Sequence, residues 1–173
     1  MSQYRLDGFA LVVGAAGGIG EEVAYSFAEA GVKVDVTDPK SVEDMADLMA
    51  KEFGRIDYCV NAAGVDVATY CPIDQTDPDD YDRVMAINTK GAYLVIRAVA
   101  KIMKSQEPMV INLGRHGNRD AGRGSIVNVS STMAVVAVEG KISYATSKHA
   151  ITGITRTAGM STNEARFDAT IAN

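Results

Sequence analysis

The 173-residue chain carries only two cysteines, two histidines and no strongly cationic segment, and each scarcity removes a class of function. Cys59 and Cys71 form no Cys-x-x-Cys pair and match no metal-ligand spacing, so neither a dithiol redox centre nor a zinc site is expected. Cys59 lies in an apolar run and reads as a small core residue. His116 and His149 have no second histidine or acid at ligand spacing, which leaves no metal site. A net charge of −5 offers no concentrated cationic face, so nucleic acid is not an expected partner. The basic residues from Arg115 to Arg123 are interleaved with Gly, Asn and Asp and read as a solvated loop. The N-terminal Met-Ser-Gln-Tyr-Arg-Leu-Asp lacks the apolar core of a signal peptide. No apolar run approaches the roughly 18 residues of a membrane helix. A soluble, cytoplasmic protein with no membrane partner is the expectation.

What the chain does contain is an alternation of short β-branched runs with longer helical stretches, the pattern of parallel strands joined by crossover helices. Strands are expected at Phe9–Val13, Val32–Val36, Ile56–Val60 and Ser125–Val129, with a last one at Phe167–Ala172. The first helix is expected over Glu21–Ala30, with Val23, Ala24, Phe27 and Ala28 on one face and Gly31 as its stop. A second is expected from an N-cap at Ser41, with Met45, Leu48, Met49 and Phe53 inward and Gly54 as its end. Asp77-Pro78 has the form of an N-cap with proline in the first turn, opening a helix through Met85. Longer helices are expected at Asn88–Lys104 and Ser143–Thr157, and a polar, glycine-rich loop at Glu107–Gly124. The fold class is therefore α/β, a Rossmann-type doubly wound parallel sheet, with residues 1–173 forming a single domain.

Two constellations in this frame bear on chemistry. Gly14-Ala-Ala-Gly17-Gly18-Ile19-Gly20 joins the first strand to the first helix. Glycines there permit a tight turn and close backbone approach to a pyrophosphate, and the helix N-terminus offers N–H groups and a positive dipole end. A simple flexible turn would use the same residues. Tyr144-Ala-Thr-Ser-Lys148 sets a phenol and an ammonium at i and i+4, on one helical face. A phenol with an ordinary pKa near 10 is a poor acid–base catalyst at neutral pH, and a neighbouring cation is what would adapt it. Taken alone the pair also fits an ordinary helix surface. Ser130 and Ser131 end the Ile126–Val129 strand, at the sheet edge where open α/β folds bind ligands.

These residues resemble the motifs of the short-chain dehydrogenase/reductase family. The glycine spacing is similar to that family's Thr-Gly-x-x-x-Gly-x-Gly, with Val13 in the place of threonine. Val60-Asn61-Ala62-Ala63-Gly64 resembles its Asn-Asn-Ala-Gly, and Met85-Ala-Ile-Asn88-Thr-Lys-Gly91 resembles the segment holding its fourth catalytic residue. Ser131 stands thirteen residues before Tyr144, as the family's serine commonly does. The resemblance implies Asn88, Ser131, Tyr144 and Lys148 as catalytic residues. Tyr144 would be the acid–base group, Lys148 its electrostatic partner and a ligand of the nicotinamide ribose, Ser131 the donor to the substrate oxygen, and Asn88 a support for proton relay. It further implies a cofactor site of Gly14, Gly18, Ile19, Gly20, Asp35, Val36, Asn61, Ala62, Ala63 and Gly64, completed by Tyr144 and Lys148. Asp35 and Val36 would meet adenine, whereas the general Rossmann rule would place Asp35 on the ribose. The implied reaction is hydride transfer between NAD or NADP and a small alcohol or ketone, in a homodimer or homotetramer. Gly17, where NADP-preferring relatives often carry a basic residue, leans towards NAD.

Against the family pattern, one strand–helix unit of some thirty residues is missing after Gly31, and the chain stops before the expected substrate-binding C-terminal part. A splice product, an engineered fragment or omitted segments would each account for this. The rival reading is a dinucleotide-binding protein of the same fold with no redox activity.

Overall fold

The structure, a computed structural model, describes residues 8–27, 33–112, 114–160 and 167–172. Strand β1 (Ala10–Val13) leads through the glycine loop into helix α1 (Gly18–Phe27). Helix α2 (Pro39–Phe53) precedes strand β2 (Tyr58–Asn61). Helix α3 (Pro78–Val84) continues through a π-helical turn (Met85–Gly91) into α4 (Ala92–Ser105). Strands β3 (Val110–Asn112) and β4 (Asn118–Asp120) form a two-stranded ribbon. Then follow β5 (Gly124–Val129), α5 (Ile142–Met160) and β6 (Phe167–Ala172).

The main sheet has the order β1-β2-β5-β6, and every neighbouring pair is parallel. Its register aligns Val13 with Asn61, and Asn61 with Asn128. The loops that leave β1, β2 and β5 therefore emerge side by side at one edge of the sheet. Parallel strands require crossovers, and short alternating runs such as Gly124–Val129, buried at every second residue, supply them with a packable face. The core is built from Val42, Met45 and Ala46 of α2, Leu94, Val95, Val99 and Met103 of α4, and Cys59 and Ile126 of the strands. Each fully buried Val, Ile or Met contributes about 1.5–3 kcal/mol, so α4, with the largest share of these side chains, is the helix that anchors the sheet. Burial pushes the Cys59 thiol up to about 12, as an inert core residue requires.

Several expectations change. Gly31, Ala28 and Val32 lie outside the described residues, but residues 33–36 are not a strand. The Asp35 carboxylate accepts from the Thr37 N–H (2.9 Å) and hydroxyl (2.8 Å), and the Asp35 N–H donates to the Ser41 hydroxyl (3.0 Å). Side chains satisfy a turn there that a sheet ladder would otherwise have to satisfy. Ser41 is consequently not the N-cap of α2. Asp38 is, accepting from the N–H groups of Lys40 and Ser41, with Pro39 in the first turn. Gly54 ends α2 at φ 79°, as expected. Met45 is buried and Met49 packs on the core, but Leu48 and Phe53 are exposed, Phe53 lying 5.1 Å from the Phe9 ring. Asp77 caps α3 with Pro78 at its start. The helix expected from Asn88 begins earlier, because the π turn carries helical backbone from α3 into α4 without a break. The loop expected over Glu107–Gly124 contains the β3–β4 ribbon. Gly114 and Gly117 take φ of 60° and 77° at its turn, and polar composition masked the short Val110-Ile111 pair.

Candidate active site

The glycine loop sits against the loop that follows β2. Gly14 has φ 87°, and a Cβ there would lie 2.5 Å from the Ala63 amide nitrogen and 2.7 Å from the Ala62 carbonyl carbon. A Cβ on Gly20 would lie 2.3 Å from the Gly14 carbonyl oxygen and 3.2 Å from the Ala62 methyl. These two glycines are closed by neighbouring backbone. Gly17 and Gly18, by contrast, face open space, with nothing within 4 Å of an added Cβ. The loop is thus tight on its inner side and open at the N-terminus of α1, where Ile19 is exposed. That shape fits a bound phosphate group: backbone close to the ligand, no side chain in its way, and a helix dipole behind it.

The loop after β2 is held by buried amides. Asn61 accepts from the Ala63 N–H (3.3 Å) and donates to the Asn128 side-chain oxygen (3.3 Å), and Asn128 donates to the Thr155 hydroxyl (3.1 Å). This row links β2, β5 and α5 within the core, and satisfied buried amides fix one register where apolar side chains could slide. The sequence places Asn61 in the cofactor site, and in the structure its side chain braces this loop. Asn128 and Thr155 were missed. The signal was available, since Asn128 interrupts an otherwise apolar strand between Val127 and Val129.

Asn88, in the middle of the π turn and fully buried, donates to the Val65 carbonyl (2.9 Å) and the Ser147 hydroxyl (3.0 Å) and accepts from the Val65 N–H (2.8 Å). The widened turn presents this amide sideways to the chain after Gly64, a use to which π turns are often put. A Cβ on Gly64 would lie 3.3 Å from the Asn88 oxygen and 3.6 Å from the Lys148 ammonium, so that glycine brings the two side chains to one place. Lys148 is buried and donates to the Val129 carbonyl (3.2 Å). Burial lowers its pKa below the ordinary lysine value. Its nitrogen stands 5.4 Å from the centre of the Tyr144 ring.

Asn61, Gly64, Asn88, Tyr144 and Lys148 therefore form one cluster at the carboxyl edge of the sheet, beside the glycine loop. Ser131 follows β5 at the same edge, where its hydroxyl accepts from the Met133 N–H (3.2 Å) and caps a short 3-10 turn (Thr132–Ala134) that packs on α5. Ser130 donates to the Lys148 carbonyl (3.3 Å). Val36 lies against Gly91, where a Cβ would meet its Cγ2 at 3.0 Å, so it borders the segment that carries Asn88. Asp35 is exposed, and its bonds from the backbone and hydroxyl of Thr37 hold its carboxyl below the usual range. Also missed from sequence was Lys141, which closes an ion pair with Asp66 beside the Tyr144 ring.

The profile of the family described as "short chain dehydrogenase" matches residues 31–171. The chain belongs to the short-chain dehydrogenase family. Among relatives, "Short-chain dehydrogenase fogB" of Aspergillus ruber is 33% identical over 90% of this chain and 69% of its own length. That alignment runs over 189 positions but takes in only about 156 residues of this chain, 90% of 173, so about thirty positions of the relative have no counterpart here. The family match begins at residue 31, next to the place where a strand–helix unit is missing by the sequence pattern. Two solved structures are similar. "ElxO with NADP Bound" superposes with a TM-score of 0.69 at 25% identity, covering 82% of this chain and 51% of that one. "NAD+-Bound Xylitol Dehydrogenase" superposes with a TM-score of 0.67 at 30% identity, covering 80% and 47%. The chain spans about half the length of these two solved structures.

Proposed function

We propose that the protein is an NAD(P)-dependent oxidoreductase that interconverts an alcohol and a ketone. The observation that carries this reading is the buried Lys148 ammonium beside the Tyr144 ring, at the sheet edge where Gly64 and Asn88 meet it. A nicotinamide cofactor, when bound, accepts or supplies the hydride. Tyr144 takes the hydroxyl proton as the alcohol is oxidised, and returns a proton to the carbonyl oxygen in the reverse direction. Lys148 favours the phenolate electrostatically and reaches the ribose next to the nicotinamide. Ser131 orients the substrate oxygen through its hydroxyl. Asn88 holds the Val65 backbone in place and supports proton relay from Lys148. Gly14, Gly18, Ile19 and Gly20 receive the pyrophosphate. Asp35 and Val36 border the adenine, and Asn61, Ala62, Ala63 and Gly64 line the adenosine side.

Relatives with bound NADP and bound NAD+ both resemble the chain, and Gly17, with no cation at that position, leans towards NAD. The expected assembly is a cytoplasmic homodimer or homotetramer acting on a small-molecule substrate. A second reading keeps the cofactor and removes the turnover, and it is favoured by the roughly thirty positions of one relative that have no counterpart within the aligned part of this chain. One experiment separates them: nicotinamide absorbance followed with a panel of ketones and alcohols, for the parent and for Tyr144→Phe. Turnover in the parent that vanishes in a cofactor-binding Tyr144→Phe supports the proposal. Turnover retained by Tyr144→Phe refutes it, and cofactor binding without any absorbance change in the parent favours the second reading.

A further inference from the structure

Lys141 stands just before α5, and its carbonyl accepts the first helical bond, from the Ala145 N–H at 2.9 Å. The N-terminus of a helix is the positive end of its dipole, so a cation is disfavoured there. This one is also nearly buried, its side chain only 10% exposed. Such a placement needs compensation, and it is present. The Lys141 ammonium closes an ion pair with Asp66, a residue of the loop after Gly64 whose side chain is 44% exposed. The same nitrogen lies 4.6 Å from the centre of the Tyr70 ring and 5.2 Å from that of Tyr144. Tyr144 is thus approached by two ammonium groups at nearly equal range from its ring centre, Lys148 at 5.4 Å and Lys141 at 5.2 Å, of which, among the described residues, only Lys141 has a carboxylate partner. Hydrogen bonding to Asp66, then to Tyr70, raises the pKa of Lys141, which keeps it charged through the neutral range.

We propose that Lys141 is a positioning residue for Tyr144, a second cation whose pull on the phenolate is set by its pairing with Asp66. The inference rests on reading Tyr144 as the acid–base group. The other charged groups around it do not substitute for Lys141. Asp80 and Arg83 of α3 close on each other at 2.6 Å, with Arg83 also donating to the Asp66 carbonyl. Lys90, at the end of the π turn, and Glu139, in the loop before α5, are exposed. His149 is committed to the Ala145 carbonyl at 2.9 Å.

Breaking the pair from either side gives effects of opposite sign. Lys141→Gln removes a cation and leaves the Asp66 carboxylate near the ring, which disfavours the phenolate. Asp66→Asn leaves the cation without its carboxylate, which favours it, and the amide oxygen can still accept the Val67 N–H that now bonds Asp66 at 2.8 Å. A brace with no electrostatic role would loosen in the same way whichever partner was removed. The test is an ultraviolet phenolate titration of the full chain, each variant measured against its own Tyr144→Phe derivative so that Tyr144 alone is read. The midpoint should rise in Lys141→Gln and fall in Asp66→Asn, with Lys141→Arg close to the parent. Midpoints that move together, or not at all, overturn the inference. Should Lys141→Gln fail to fold, Asp66→Asn decides alone, and a rise or an unchanged midpoint overturns the inference. The readout needs no turnover. Midpoints split in a protein that turns over nothing would remove the acid–base role of Tyr144 and leave only the coupling of the Lys141–Asp66 pair to its phenol, whereas turnover with unsplit midpoints would leave the oxidoreductase reading and overturn this inference.

Discussion

Gly14→Ala is the substitution whose cost can be worked most directly. Two penalties act at once. The residue sits at φ 87°, where a side chain is strained by about 1–2 kcal/mol. The new methyl would also lie 2.5 Å from the Ala63 nitrogen and 2.7 Å from Ala62 and Ala63 carbon atoms, all of them backbone. Backbone cannot rotate away, so the loop after β2 must move, at a further cost of about 1–3 kcal/mol. The sum, about 2–5 kcal/mol, is a large part of the roughly 5–15 kcal/mol that holds a domain folded. Gly17→Ala is the internal control, because its Cβ meets nothing within 4 Å and no positive φ applies. It should stay within about 0.5 kcal/mol of the parent. Gly18→Ala, at φ 59° in open space, should carry the conformational penalty alone, about 1–2 kcal/mol. Urea unfolding followed by far-ultraviolet circular dichroism orders the three. A Gly14→Ala protein as stable as Gly17→Ala would refute the claim that the two loops are locked together.

Asn88→Ala should orphan the N–H and C=O of Val65 and lower stability by about 2–4 kcal/mol, read as a reduced urea midpoint. Lys148→Met should abolish turnover yet cost no more than about 1 kcal/mol of stability, because it removes a desolvated charge along with one hydrogen bond to Val129. The pH dependence of that difference has a definite sign. Burial holds the folded-state pKa of Lys148 below 10.5, so the unfolded chain binds its proton more tightly. The penalty operates in full below the folded pKa and fades as pH rises towards 10.5. The stability of the parent relative to Lys148→Met should therefore increase with pH in alkaline solution, and a decrease would contradict the burial argument.

The parts of the fold legible in the sequence were those where pattern and punctuation agree. Asp77-Pro78 and Gly54 placed helix ends because proline, aspartate and left-handed glycine each have one local solution there. The glycine loop and the Tyr144–Lys148 face were legible for the same reason, since fixed spacings on known elements fix their neighbours. Val32–Val36 misled because β-branched residues describe a strand only when a neighbouring strand exists to pair with. Among the described residues no strand pairs with 33–36, and Asp35, Thr37 and Ser41 satisfy the backbone there instead. The partners in the Asn61–Asn128–Thr155 row and in the Lys141–Asp66 pair are not legible in the sequence, where only the polar Asn128 in an apolar strand stands out, because each joins residues far apart that only the tertiary fold brings together. The π turn was hidden too, since nothing in Met85–Gly91 distinguishes a widened turn from an ordinary one until Asn88 is seen to reach Val65.

The central claim is that this chain holds a nicotinamide dinucleotide along the edge defined by Gly14, Gly64 and Lys148. Calorimetric titration with NADH tests it most directly, with the Gly17→Ala protein as a folded control. Saturable binding of about one NADH per chain, weakened in a Gly18→Val variant whose side chain would project into the open cradle, is the result expected. A folded chain that gives no saturable heat with NADH or NADPH would contradict the account.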